Sequence, residues 1–240
     1  MKTTDGTPPL IRVRGVRRTY QQGLVEVHAL RGVDLDISQG EFSALAGPSG
    51  SGKTTLLNMI GCLDQPSAGT VHIGDDDVTH LGRAEGAEYR LRHVGFIFQA
   101  YNLIPVLTAW ENAEFVLLLQ GIGELERRKI LDPLFERVGL SDYKKRKPHE
   151  MSGGQQQRVA IVRALASRPQ IVLADEPTAN LDSATSASLL DLMLELNQEH
   201  GVTFVFSTHD AMVMERARRI VRLDSGEIVA DEQGAALGVA

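Results

Sequence analysis

Cysteine is almost missing from this chain: Cys62 stands alone in 240 residues, so no internal disulfide can form and the fold must be held by packing. Positive charge is also in deficit. The 25 Lys and Arg face 31 Asp and Glu, and a formal net charge of -6 argues against nonspecific binding to nucleic acid or to an anionic membrane surface. No long apolar run occurs either. The longest within a helix-like segment is FVLLL (residues 115–119), far short of the ~20 residues needed to cross a bilayer. The opening MKTTDGTPPLIRVRG lacks the apolar core of a signal peptide. Repeats at solenoid period and low-complexity tracts are absent. The expectation is a cytoplasmic chain that reaches a membrane only through a separate partner.

What is present points to an α/β domain with a sizeable core. Three short apolar runs, FSALA before Gly47, IVLA before Asp175 and VTFVF before Ser207, suit parallel strands buried on both faces. Residues 10–45 alternate apolar stretches with Gly and polar breaks, which predicts several further strands. Leu189, Leu192, Met193 and Leu196 give the stripe of a helix lying on a sheet. Thr108 and Glu111 have capping-box spacing just before FVLLLQ. The region from about 88 to 165 reads as mostly helical and separates the first buried strand from the next, as an inserted helical subdomain would. One domain is expected over 10–229, with tails at 1–9 and 230–240. In such folds ligands sit at the carboxyl ends of the strands.

The segment GPSGSGKT, residues 47–54, follows a predicted strand and precedes the helical TLLNMI. Its loop, Gly47, Pro48, Ser49, Gly50, Ser51 and Gly52, lets backbone N–H groups converge on phosphate oxygens, and the helix N-terminus that follows adds a positive dipole end. Lys53 would reach β- and γ-phosphates, and the Thr54 hydroxyl, with Thr55 behind it, would ligate Mg²⁺. IVLADEP supplies a buried strand ending in a carboxylate, so Asp175 would serve the metal and Glu176 would polarise an attacking water. Gln99 in GFIFQAYNL is either a neutral amide near Mg²⁺ or a polar loop residue. His209, after VTFVFST, is either a γ-phosphate ligand or a structural histidine. MSGGQQQRVA, residues 151–160, holds no nucleophile with a base beside it and no metal-ligand spacing, yet looks built to bind something.

In their order, GPSGSGKTT, Gln99, MSGGQQQR, VLADEP, NLD and STHD resemble the ATP-binding cassette ATPases, over about residues 10 to 229. The resemblance implies a P-loop NTPase core, a mainly parallel sheet flanked by helices, with an N-terminal antiparallel β subdomain and an inserted α-helical subdomain. It implies Mg²⁺-dependent ATP hydrolysis, with Lys53, Glu176 and His209 catalytic and Thr54, Gln99 and Asp175 organising the metal. By the same resemblance Ser152, Gly153, Gly154 and Gln155 contact the nucleotide held by a second copy. Two chains would meet head to tail with two ATP molecules between them, so this stretch carries no chemistry because it completes a neighbour's site. Tyr20, in RRTYQQG, resembles the aromatic that stacks on adenine, with a strand-face tyrosine as the alternative. Asp182, in TANLD, resembles the acidic member of the loop that links the two sites.

NMIGCLDQPSAGTV, FIFQAYNLIPVLTAWENAE and KPHEMSGGQQQRVAIVRALA are similar to the macrolide-efflux and lipoprotein-release branch. The implied partners are an integral membrane permease, a second copy of this chain and, through the permease, a periplasmic adaptor, with no nucleic acid. The implied location is the inner face of the cell membrane, held there by the permease. Leu103, Ile104, Pro105 and Val106 would line a groove for that permease or join the core. An alternative output is regulatory, acting through a membrane partner on an extracytoplasmic enzyme. A cassette ATPase working on nucleic acid is opposed by the acidic balance, and a P-loop kinase leaves MSGGQ unexplained.

Overall fold

The computed structural model describes residues 8–23 and 25–234. In chain order these form β1 (Ile11–Gln22), β2 (Val25–Ile37), β3 (Phe42–Ala46), α1 (Lys53–Ile60), β4 (Ala68–Ile73), β5 (Asp76–Asp77), α2 (Arg83–His93) and β6 (Val94–Phe98). There follow α3 (Ala109–Leu119), α4 (Glu124–Arg137), two single 3-10 turns, α5 (Gly153–Ala166), β7 (Ile171–Asp175), α6 (Ser183–His200), β8 (Thr203–Thr208), α7 (Ala211–Arg216), β9 (Arg219–Asp224) and β10 (Glu227–Gln233). An antiparallel sheet runs β2-β1-β4-β5, and a larger sheet runs β10-β9-β3-β8-β7-β6 with every pair parallel except β10–β9.

The larger sheet explains why its strands read as continuous apolar runs. Alternate residues point to opposite faces of a strand, and here both faces are covered. Phe42, Ala44, Val172, Ala174, Phe204 and Phe206 pack into one core with residues of α3, α4, α5 and α6. Leu45, Ile171, Leu173 and Val205 pack into the other with α1 and the antiparallel sheet. Phe42 holds the first core at its centre, its ring centroid 5.6 Å from Phe204 and 4.7 Å from Phe206.

Local patterns read from the sequence form as expected. Thr108 caps α3, accepting from the Glu111 N–H at 3.2 Å while the Glu111 carboxylate accepts from the Thr108 N–H at 2.7 Å. Leu189, Leu192, Met193 and Leu196 are the buried stripe of α6. Two boundaries differ. The stretch read as helical from 88 to 165 contains strand β6, paired in parallel with β7 from Val94↔Ile171 to Phe98↔Asp175, so the α-helical insertion proper lies between β6 and β7. The C-terminal tail starts later than residue 230, because β10 continues through Gln233 against β9. Among the described residues no helix is long and apolar enough to cross a membrane.

The strand β6 and helix α5 approach too closely for a side chain at Gly95. A Cβ there would lie 2.4 Å from the Ala164 carbonyl oxygen, a backbone atom that cannot rotate away. Gly95→Ala should therefore destabilise the chain by about 2 kcal/mol or more, read from urea unfolding. An unchanged midpoint would mean that β6 does not pack as described.

Candidate functional site

Register brings the motifs together. The parallel pairs Ala46↔Thr208, Asp175↔Ser207 and Phe98↔Asp175 level the carboxyl ends of β3, β8, β7 and β6. The residues just beyond those ends are Gly47, His209, Glu176 and Gln99. His209, Glu176 and Gln99 among them border a cleft of about 520 Å³, a size suited to a nucleotide-sized ligand. Of the residues singled out in the sequence, Ser49, Gly50, Gly52, Lys53, Thr54, Thr55, Gln99, Asp175, Glu176 and His209 line it, together with Val27, His28, Ala29 and Ala179.

Gly47, Pro48 and Ser51 form the back of the phosphate loop and do not line the cleft. Gly47 has φ 154°, and a Cβ on it would lie 2.1 Å from the Leu223 carbonyl oxygen, so the loop is pressed directly onto the end of β9. Gly52, with φ 104°, is the N-cap of α1 and has no side chain to occupy the helix's first N–H groups. Lys53 is buried, and its Nζ donates to the carbonyls of Gly47 at 2.8 Å and Pro48 at 2.9 Å. An ammonium has three N–H donors, so one remains for a ligand.

Across the cleft the Thr54 hydroxyl lies 3.1 and 3.2 Å from the two oxygens of Asp175. Gln99 also lines the cleft, so a hydroxyl, a carboxylate and an amide are at hand, whose oxygens are the donors that suit a hard cation. Among the described residues no three His, Cys, Asp or Glu side chains form a metal-binding group. A cation here would thus need oxygens from its ligand, as Mg²⁺ bound with phosphates does. Glu176 has φ 47°, a left-handed conformation that costs a non-glycine residue on the order of 1–3 kcal/mol. Its surroundings hold it there: its N–H donates to the Ser207 carbonyl at 2.9 Å, Thr208 Oγ1 donates to Oε2 at 3.1 Å, and His209 Nδ1 lies 2.6 Å from Oε1.

The MSGGQ segment stands outside this cleft. Ser152 is the N-cap of α5, its hydroxyl accepting from the Gln155 N–H at 3.3 Å while the Gln155 side-chain oxygen accepts from the Ser152 N–H at 2.9 Å. The Gln155 amide therefore closes a capping box on its own helix. Gly153 and Gly154 permit close packing: a Cβ would lie 2.7 Å from the Tyr101 hydroxyl at the first and 2.6 Å from a Thr185 methyl at the second. Asp182 caps α6 through Thr185, whose hydroxyl and N–H hold its carboxyl below the usual range, and it too lies outside the cleft. Tyr20 does not line the cleft. Its hydroxyl donates to Asp64 at 2.8 Å and the Arg18 guanidinium stands 4.5 Å from its ring centre. It is nevertheless paired across the strands with Val27, which does line the cleft, and such partners share a sheet face.

Three further residues bear on the site, and apart from the place of Asn180 in NLD the sequence carries no signal for them. Val27 is an apolar residue exposed at the cleft wall. Asn180 Nδ2 donates to the Gln99 carbonyl at 2.9 Å. Arg163, on α5, donates to the carbonyls of Tyr101 at 2.8 Å and of Asn102, two residues with φ of 58° and 49°. Their roles depend on contacts between segments distant in the chain.

A family model described as ABC transporter matches residues 30–179. The macrolide export ATP-binding/permease protein MacB of Syntrophobacter fumaroxidans is 46% identical over 228 residues, which are 94% of this chain and 32% of that protein. The ABC transporter ATP-binding protein YknY of Bacillus subtilis is 43% identical, with 94% of this chain matched to 97% of YknY. A solved dimer of the ATP-binding cassette MJ0796 of Methanocaldococcus jannaschii, in a post-hydrolysis state bound to ADP and Pi, matches with a TM-score of 0.87 at 42% identity, over 95% of this chain and 100% of that one. This chain thus spans 32% of the MacB protein's length but nearly all of YknY's.

The contact of Gly47 with β9 sets the depth of the phosphate loop. Gly47→Ala should lower stability by about 3 kcal/mol or more, because neither φ nor the Leu223 carbonyl leaves room. Gly50→Ala, which meets no atom within 4 Å but has φ 79°, should cost about 1–2 kcal/mol. Equal unfolding midpoints for the two variants would contradict that packing.

Proposed function

The chain belongs to the ABC transporter family of ATP-binding cassette ATPases, and on that premise we propose how its residues divide the work. ATP is the substrate of the cleft at the carboxyl edge of the larger sheet. The free N–H of Lys53 and the first backbone N–H groups of α1 bind its β- and γ-phosphates, where the helix dipole adds favourable charge. Thr54, Asp175 and Gln99 are the residues that would hold Mg²⁺. Bound there, the ion would neutralise phosphate charge that develops as the γ-phosphoryl group leaves. The observation that carries this reading is the Thr54–Asp175 contact, which joins the two halves of a phosphate and metal site on one wall.

Glu176 orients the lytic water. Oε2 is fixed by Thr208 and Oε1 by His209, so release of His209 frees one oxygen to accept the water's proton while the other keeps its bearing. His209 donates to a γ-phosphate oxygen. While Nδ1 is tied to Glu176 it can do so from Nε2 only if both ring nitrogens carry protons; otherwise the pair must part. Tyr20 and Val27 form the apolar platform for the base.

The segment Ser152–Gly154 serves a second copy. It lies outside its own chain's cleft, and its helix presents unpaired N–H groups suited to a γ-phosphate. Gln155 acts by holding Ser152 in place, and Asp182 by shaping the start of α6 beside Thr185. Two chains therefore close head to tail on two nucleotides. The membrane partner is a permease of the macrolide-export type, contacted by Ile104, Val106, Phe115, Leu118 and Leu119, which together leave an apolar strip exposed on the helical insertion. Pro105 is exposed beside them, whereas Leu103 is half-buried against the core and braces the strip. The chain thereby sits on the inner face of the membrane, with a periplasmic adaptor reached through the permease.

Glu176→Gln should keep ATP binding while turnover falls by about a hundredfold or more. Light scattering on that variant should show the mass doubling only when ATP and Mg²⁺ are both present. A monomer that holds ATP under both conditions would overturn head-to-tail closure of the isolated chain.

A further inference from the structure

Gln157 is fully buried on α5, one turn into the helix that Ser152 caps. Its Nε2 donates to the Pro177 carbonyl at 2.7 Å, and its Oε1 is buried without a partner. As a space-filler this amide is a poor choice. A methionine or leucine would occupy the same volume and bury no orphaned acceptor, so the residue is explained by what its donor holds.

The donor holds the carbonyl of Pro177, the residue bonded directly to Glu176. Glu176 is held away from its backbone preference on two counts: it is left-handed at φ 47°, and it precedes a proline, whose ring steers the preceding residue toward extended backbone. Two buried hydrogen bonds bracket it. Upstream, the Glu176 N–H is fastened to the Ser207 carbonyl of β8 at 2.9 Å; downstream, the Pro177 carbonyl is fastened to Gln157. Thr178, next in the chain, is anchored through its hydroxyl to Asp210 at 2.9 Å, so the turn is tied to three separate elements. Without Gln157 the Pro177 carbonyl is left buried and unpaired. The proline ring fixes φ at Pro177, so a shift of Pro177 toward another donor carries the bonded Glu176 with it and moves its carboxylate off Thr208 and His209.

We propose that Gln157 is a positioning residue for hydrolysis: it locks the Glu176–Pro177 turn and thereby aims the Glu176 carboxylate without touching nucleotide or water. This rests on the reading of Glu176 as the residue that orients the lytic water. It also makes α5 serve two sites, its N-terminus a second copy's nucleotide and its second turn the carboxylate of its own chain.

The test uses the full chain with Mg²⁺ and ATP, and two variants. Gln157→Met keeps volume and removes both polar atoms, while Gln157→Asn keeps the amide but is too short to reach Pro177. Both should lower kcat by about tenfold or more while KM and the ATP dissociation constant stay within about twofold. Thermal midpoints should move by no more than about 4 °C. Combined with Glu176→Gln, neither should lower the residual rate further, because a positioning residue has nothing left to aim. Full kcat in either folded variant overturns the proposal. So does an equal loss of rate in the Glu176→Gln background, or a fall in thermal midpoint that accounts for the lost rate in both, since either outcome assigns Gln157 to packing alone. Full turnover by Glu176→Gln itself removes the underlying reading of Glu176 and the proposal with it.

Discussion

Parallel hydrogen-bonded register is the constraint on which the site depends. Four strands, β3, β8, β7 and β6, are held level at their carboxyl ends by ladders that run unbroken from Phe42↔Phe204 to Phe98↔Asp175. A slip of one residue in any pair would exchange the faces of a strand buried on both sides and move a motif off the edge of the sheet. The aromatic packing of Phe42, Phe204 and Phe206 and the Gly95 contact with α5 oppose such a slip. The phosphate loop, Asp175, Glu176, His209 and Gln99 need not find one another. The sheet delivers them.

Delivery to the edge does not orient a side chain. That is done by bonds from outside the strands. Asn180 holds Gln99 by its carbonyl, Arg163 holds the two left-handed residues that follow, and Ser207 and Thr208 grip Glu176 from β8. Burial lowers the pKa of Arg163 from its ordinary value, and its guanidinium donates to the backbone carbonyls of Tyr101 and Asn102. The loops of the site are therefore short, strained and tied at several points, an arrangement that keeps atoms in place before a ligand arrives.

Much of this was legible in the sequence because it is local. The continuous apolar runs, the stripe of α6, the Thr108 cap and the glycine-rich loop each depend on neighbours within a few residues. Strand β6 was not legible. VGFIF lies between helices, and only its partner β7, far along the chain, makes it a strand. Tyr20 was placed by pattern, yet its hydroxyl and ring are engaged by Asp64 and Arg18, contacts that follow from the fold of the antiparallel sheet. Nor does the sequence show that the Gln155 and Asp182 side chains are engaged within the chain, Gln155 closing the capping box of α5 and Asp182 capping α6.

The capping box at the start of α5 has a chemical corollary. By accepting from the Gln155 N–H, the Ser152 hydroxyl commits a lone pair inward, while Gln155 covers the Ser152 N–H in turn. What this tip turns outward is a hydroxyl proton and the N–H groups of Gly153 and Gly154, which have no partner within the helix. The tip is thus weighted toward donors, with one hydroxyl lone pair left over. A cation finds at most one hydroxyl lone pair to address, whereas an oxygen-rich anion finds several N–H and O–H donors, so the tip favours anions before any long-range charge is considered.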